Sequence, residues 1–267
     1  GQTCALYLDQ CGFWVFAGVR RQEDAEKLQQ AGSNRLKPIV IDVTQADTIA
    51  SAVTELSEQV ADSGLDGLIN NAGIAIGGPL EFLPIQNLQQ QLEVNVVGQI
   101  AVTQAFLPLL RKAQGRIINM SSVSGRIAFP FFGPYCASKF ALEALTDSLR
   151  LEVQPWGIEV ISLQPGSIAT PIWRKSLARA DKMLDQLPPQ GHELYDERLS
   201  ALRRMIEKTG EEGIPPEEVA SIVMHALTTR RPKTRYVIGR AAKRGVFLAR
   251  WLPDRLRDSL ILRLGRR

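Results

Sequence analysis

The chain of 267 residues is long enough for one large α/β domain or two small ones. With 45% hydrophobic and 22% charged residues, it is not a disordered, collagen-like or coiled-coil protein. Its net charge of +4 is uneven. Residues 228–267 hold thirteen Lys/Arg against two acids, a net +11 that leaves residues 1–227 at −7, so a uniform nucleic-acid-binding surface is not indicated.

Gln2–Gln10 reads as a helix stopped by Gly12, and 14–19 as a short buried strand. A polar helix over Gln22–Ala31 leads to a strand at 36–41, whose Pro38 suits a strand start. Residues 45–61 carry Ile49, Val53, Leu56 and Val60 at helical spacing, and 65–69 form a third strand. A long helix is expected over 86–112, with Pro108 distorting its last turn. Then come a strand (Arg116–Met120), a helix (Gly133–Val153) broken by Pro155 and Gly157, and a strand at 158–163. Strands alternating with helices predict one domain, a doubly wound, Rossmann-like parallel sheet with helices on both faces. After Pro165 the pattern changes. Charged helices are expected at 176–187 and 193–208, a helix at 215–227, and a last strand at 236–238.

The uncharged stretch 94–110 contains Asn95, Gln99, Thr103 and Gln104, which makes it a poor membrane span. Cys4, Cys11 and Cys136 provide neither a disulfide framework nor metal-ligand spacing, as expected of a reducing, cytoplasmic setting. The chain opens Gly1-Gln2 without a start Met, and no signal peptide is visible. His192 and His225 have no spacing that suggests a metal or a triad.

Tyr135 and Lys139 lie four residues apart on a predicted helix and so share a face. An ammonium beside a phenol favours the phenolate, which would fit Tyr135 for acid–base work near neutrality. Alone, such a pair is an ordinary helix feature. It is joined by Ser122 at the end of one predicted strand, Asn70-Asn71-Ala72-Gly73 at the end of another, and Asn95, a poor helix former, inside the long helix. In open α/β sheets ligands bind beyond the carboxyl ends of the strands, where two of these clusters fall.

These motifs, with Asp42-Val43-Thr44 and Pro165-Gly166-Ser167-Ile168-Ala169-Thr170, make the chain resemble the short-chain dehydrogenase/reductase family over essentially its whole length. Within it, Tyr135-Cys136-Ala137-Ser138-Lys139-Phe140-Ala141-Leu142-Glu143 and a long C-terminal segment are similar to hydroxysteroid and retinol dehydrogenase-like members. The resemblance implies Tyr135 as general acid/base, Ser122 as hydrogen-bond partner of the same substrate oxygen, and Lys139 as the group that lowers the Tyr135 pKa and holds the nicotinamide ribose. It implies Asn95 as anchor of a proton-relaying water, the alternative being a mere helix distortion. Asp42 and Val43 would meet the adenine, and Asn71, Ala72 and Gly73 would pass its ribose, although Asn71 could equally brace neighbouring strands. Pro165, Gly166, Ile168 and Thr170 would wrap the nicotinamide, although Thr170 could instead cap a helix before Pro171.

The family's first strand and Thr-Gly-x-x-x-Gly-x-Gly phosphate loop are not found here; Gly1 matches the last glycine of that loop, and the rest is expected upstream. On that reading the chain as it stands folds poorly or binds cofactor weakly. At the end of the second family strand Val19 replaces the acid that NAD-specific members use, and Arg20 follows. An Arg there suits a 2′-phosphate, so NADP(H) is favoured over NAD(H); the alternative is a solvated Arg20-Arg21 pair opening the next helix.

The implied reaction interconverts an apolar secondary alcohol and ketone, or a retinoid-like alcohol and aldehyde. The alternatives are a 3-ketoacyl-thioester reductase and a non-catalytic cofactor-binding regulator. Residues 171–227 would form the substrate lid and C-terminal helices, with Ile172, Trp173, Leu177, Met183 and Leu184 as an apolar cover or ordinary core, and Phe129, Phe131 and Phe132 at the mouth. Residues 241–267 form a basic amphipathic tail interrupted by Pro253, suited to peripheral membrane contact or to packing on the domain. Family members pair through the two long helices, which implies a homodimer or homotetramer.

Overall fold

The computed structural model describes the chain apart from residues 171, 174, 175, 179, 180, 182–184, 186 and 265–267, and apart from the side chains of 205, 208–211 and 264. The expected lid residues Met183 and Leu184, Pro171, and part of the helix expected at 176–187 lie outside the described residues.

Two parallel ladders form. Strands β1 (Val15–Val19) and β2 (Leu36–Val40) pair with Val15 opposite Leu36 and Val19 opposite Val40. Strands β3 (Gly67–Asn70), β4 (Arg116–Met120), β5 (Glu159–Pro165) and β6 (Arg235–Ile238) pair in that order. Among the described residues no ladder joins β1 to β3. The helices are α1 (Gln2–Gln10), α2 (Gln22–Ala31), α3 (Ala46–Val60), α4 (Ile85–Leu92), α5 (Gly98–Ala113), α6 (Gly133–Val153), α7 (Pro189–Glu211), α8 (Pro216–Thr228), α9 (Arg240–Trp251) and α10 (Asp254–Leu264).

Side chains alternate across a strand, so consecutive apolar residues need cover on both faces. Ile117 and Val160 pack with Leu110 and Val153, on the face of α5 and α6. Their neighbours Ile118 and Ile161 pack with Cys4, Leu8, Ala220 and Val223, on the face of α1 and α8. The two ladders are held to each other by helices. On one face α1 sends Cys4 and Leu8 to β4 and β5, and Ala5 to Ala17, Leu28 and Leu36. On the other, α3 and α5 bury Ile49, Leu56, Val102 and Phe106 against Ile39 and Phe16 on one side and Leu68 on the other.

Several elements differ from the sequence reading: the helix expected at 193–208 runs over Pro189–Glu211, and the strand expected at 158–163 over Glu159–Pro165. Leu65 precedes β3 because its N–H donates to Leu109 O at 3.0 Å, at the end of α5, instead of entering the ladder. The helix expected over 86–112 is interrupted by a π-helical turn at Glu93–Val97 between α4 and α5. Pro108 lies inside α5, which runs on to Ala113 and stops at Gln114 in left-handed conformation. The whole of Ile85–Ala113 is long and apolar enough to cross a membrane by length and composition, contrary to the reading of 94–110 as a poor span. Here its apolar residues Val102, Phe106, Leu109 and Leu110 are buried in the domain core.

Candidate active site

A polar stripe along the α4–α5 segment fixes the loop after β3. Gln91, Asn95, Gln99 and Thr103 recur every four residues and are all buried. Gln91 Oε1 accepts from Ile76 N at 2.7 Å, and its Nε2 donates to Ile74 O at 2.8 Å. Asn95 Oδ1 accepts from Ile74 N at 2.9 Å while its Nδ2 donates to Ile74 O at 3.0 Å. Gln99 Nε2 donates to Ala72 O at 2.6 Å, and Thr103 Oγ1 accepts from Asn70 Nδ2 at 2.8 Å. Buried peptide groups outside any ladder must find partners, and this stripe provides them. The π turn lies within the stripe, at Asn95; such turns are frequent at functional sites.

The strand ends are pinned in the same way. Asn70 Nδ2 also donates to Asn119 Oδ1, its register partner on β4, and Asn119 Nδ2 donates to Thr146 Oγ1 of α6, both at 2.8 Å. It is therefore Asn70 that braces neighbouring strands, while the exposed Asn71 lines the cavity beyond them.

That cavity has a volume of about 1430 Å³. Ser122, Tyr135 and Lys139 line it together with Gly1, Asn71 and Gly73. Pro165, Gly166, Ile168 and Thr170 line it from the end of β5. The expected mouth residues Phe129, Phe131 and Phe132, and the lid residues Ile172 and Trp173, line it as well. Trp173 is held by a 2.8 Å bond from its Nε1 to Ile168 O. Leu177 borders a much smaller neighbouring pocket. Arg20, Asp42, Val43, Ala72 and Asn95 do not line the large cavity. Asn95 is wholly buried behind it, its amide occupied by Ile74 and by Ser138 Oγ at 3.1 Å.

Ser122 Oγ accepts from Ser124 N at 3.1 Å, which leaves its hydroxyl proton to donate, and it hydrogen-bonds the Tyr135 phenol. The expected lowering of the Tyr135 pKa is not found. Burial pushes the phenol above its usual range, and the Ser122 hydrogen bond only partly offsets this. Lys139 does not reach the phenol as a close ion. Its Nζ lies 5.8 Å from the Tyr135 ring centroid and donates to Met120 O at 2.7 Å. Burial lowers the Lys139 pKa to about 8, with Glu143 pulling the other way.

Sequence reasoning missed Glu143. This buried carboxylate accepts from Gln164 Nε2 at 2.7 Å, from Arg235 Nε at 3.0 Å and from Ser162 Oγ. Arg235 also bonds Asp147. The sequence signal was an acid four residues after Lys139, on the inward face of α6.

At the edge of β1 and β2, Asp42 Oδ1 accepts from Thr44 N at 3.0 Å and Thr44 Oγ1 at 2.8 Å. These bonds, and the positive charge of Arg20, hold the Asp42 carboxyl below its usual range. Arg20 is exposed and charge-coupled to Asp42. His192 pairs with Asp196, and His225 meets the Tyr236 ring edge-on. Among the described residues no group of His, Cys, Asp or Glu could hold a metal.

The donor set suits a dinucleotide. A Cβ at Gly1 would come within 2.8 Å of Asn71 Nδ2, so the bare backbone of Gly1 leaves the Asn71 amide its place at the cavity. Ser121 Oγ is buried in the cavity wall without a hydrogen-bond partner among the described residues. The Asn71 amide, the Thr170 hydroxyl and the Lys139 ammonium share the same cavity.

A parallel α/β sheet with a Ser–Tyr–Lys set beyond its strand ends defines an oxidoreductase acting on CH–OH groups. The short chain dehydrogenase family model matches residues 1–181, and the chain belongs to that family. It is 40% identical to mouse (Mus musculus) retinol dehydrogenase 5, over 98% of this chain and 84% of that protein. It is 37% identical to 17-beta-hydroxysteroid dehydrogenase type 6 of Bos taurus, over 98% and 84%. It is 36% identical to the NADPH-dependent 3-dehydrocapnine reductase of Ornithobacterium rhinotracheale, over 96% and 90%. Among solved structures, a short chain dehydrogenase from Burkholderia cenocepacia in complex with NADP superposes with a TM-score of 0.68 at 28% identity, covering 94% of this chain and 85% of that one.

Proposed function

We propose that the protein interconverts an apolar secondary alcohol and ketone, or a retinoid-like alcohol and aldehyde, with NADP(H) preferred over NAD(H). The observation that carries this reading is the convergence of Ser122, Tyr135 and Lys139 on one large, largely apolar cavity. The relatives that act on retinol and hydroxysteroids support the substrate class. The exposed Arg20, the NADPH-dependent relative and the NADP-bound neighbour support the cofactor preference.

When bound, the nicotinamide supplies or accepts the hydride. Gly1, Asn71, Gly73 and the Pro165–Gly166–Ile168–Thr170 run would hold the cofactor, with Asp42, Val43 and Ala72 behind its adenosine and Arg20 on its 2′-phosphate. Tyr135, kept protonated by burial, donates its phenolic proton to the substrate oxygen in reduction and takes it back in oxidation. Ser122 Oγ–H donates to the same oxygen as charge develops there. Lys139, fixed by Met120 O, keeps its remaining donors for the ribose. Asn95 acts as a positioning residue for the Ile74 loop and for α6.

Residues 1–267 act as one domain, with 171–227 covering the substrate and 241–267 forming a tail that touches membrane surfaces. On α9, Phe247 and Trp251 are 65% and 69% exposed beside Lys243, Arg244 and Arg250. This composition suits the anionic, cytoplasmic face of a bilayer. Exposed Phe140, Leu145 and Leu151 on α6 suit pairing in a homodimer or homotetramer.

The test is titration of the chain with NADPH and NADH by cofactor fluorescence, followed by turnover of apolar ketones. Tighter NADPH binding and turnover that is lost in Tyr135→Phe with an unchanged melting curve are expected. Retention of most activity in that variant would overturn the acid/base assignment.

A further inference from the structure

Helix α7 carries three arginines near the cavity, and they differ in partnership. Arg203, which does not line the cavity, is paired twice, Nη1 to Asp181 at 2.6 Å and Nε to Glu207 at 3.2 Å. Arg198 and Arg204 do line it, and among the described residues neither has a carboxylate within ion-pair distance. The surrounding wall from α7, α8 and α10 is apolar, with Leu202, Ile206, Val219, Ile261 and Leu262, apart from Glu197.

Arg198 is also held in place. Its guanidinium lies 5.2 Å from the Phe131 ring centroid. Phe131 has a left-handed backbone, φ +65°, a conformation costly for a bulky residue unless its surroundings impose it. Gly78 N donates to Phe131 O at 2.7 Å, and Tyr195 stacks edge-on against its ring. The strained loop thus presents an aromatic face four residues before Tyr135, and Arg198 lies on it.

From these observations we infer that the cavity takes substrates with an apolar body and an acidic head group, the head group being held by Arg198 and Arg204. This deepens the oxidoreductase reading and rests on it. A guanidinium offers paired N–H donors that match a carboxylate, sulfonate or phosphate ester. Both guanidiniums are solvent-exposed where they border this wall, so a ligand whose body lies along the apolar residues can bring its acidic group to them without either cation being buried first.

The probes are 11-(dansylamino)undecanoic acid and its methyl ester, two amphiphiles of one skeleton that differ in charge. Fluorescence titration of the full chain should show the acid binding about tenfold tighter than the ester, a preference that shrinks in high salt. The double variant Arg198→Gln/Arg204→Gln should bring acid and ester to similar affinity while leaving the ester unchanged. Arg203→Gln, which removes one positive charge from the same helix away from the cavity, should keep the preference. Equal affinities in the unmodified chain, a preference that survives the double variant, or failure of both probes to bind would each overturn the subsite. Turnover of a neutral ketone with NADPH is measured on the same preparations. Turnover without acid preference overturns the subsite alone; acid preference lost in the double variant, without any turnover, supports the subsite and overturns the oxidoreductase reading.

Discussion

The Asn95 side chain donates to Ser138 Oγ at 3.1 Å, and Ser138 Oγ donates in turn to Tyr135 O at 2.7 Å. A residue absent from the cavity wall is thereby linked to the backbone of the candidate acid. Asn95→Ala should strand Ile74 N in a buried setting, Ile74 O keeping its bond from Gln91 Nε2, and cost about 1–3 kcal/mol in denaturant unfolding. Ser138→Ala cuts only the link. It should cost about 1 kcal/mol and lower kcat several-fold with KM little changed, as steady-state kinetics would show.

Lys139 gives the site a pH response. In the unfolded chain this amine keeps its proton to about 10.5; in the folded chain it releases it near 8. Its contribution therefore penalises the folded state below pH 8, and stability from this group rises as pH climbs from about 8 towards 10.5. Activity runs the other way, because the charged form is the one proposed to hold the ribose. The reductive rate should fall with a midpoint near pH 8. Lys139→Met should remove both that limb and the stability slope, measured by pH–rate profiles and by melting between pH 7 and 10.

Glu143 should matter twice. Glu143→Gln leaves Arg235 with Asp147 alone and breaks a buried, charge-assisted network, with an expected loss of about 3 kcal/mol in unfolding free energy. It also withdraws the negative charge that supports the Lys139 proton, so the alkaline limb of the rate profile should move to lower pH. A loss of stability with no movement of that limb would confine Glu143 to a structural role.

Gly98 opens α5 directly against the chain after β2. A Cβ there would lie 2.5 Å from Val43 O. Gly98→Ala should push Val43 aside, cost about 1–3 kcal/mol and weaken cofactor binding more than substrate binding. Cofactor fluorescence and melting on one preparation would separate the two effects.

The strand–helix alternation, the single sheet direction and the Ser122–Tyr135–Lys139 set were legible in the chain because each rests on local spacing. The bracing role of Asn70 was not, since nothing in Asn70-Asn71 tells which amide turns inward; only the pairing of Asn70 with Asn119 across the ladder decides it. The direction of the Tyr135 shift was misread for a similar reason. A spacing of four puts an ammonium on the same helix face, but shows neither that its Nζ turns to Met120 O nor that the phenol is buried. Gln91 and Gln99 were visible as polar residues in an apolar helix, and their spacing of four with Asn95 was the unused sign of a bonded stripe.

The separate ladders of β1–β2 and β3–β6 have a consequence for how the molecule opens. Among the described residues the ladders meet through side chains, those of α1, α3 and α5 above all, so the halves are joined by contacts that loosen without breaking strand pairing. The amide groups along the unpaired edges of β1 and β3 should thus exchange with solvent hydrogen far sooner than those of β4 and β5, which are paired on both sides. The boundary between fast and slow exchange would run beneath α1, where Gly1 borders the cavity, so that a ligand bridging both halves should slow exchange on each.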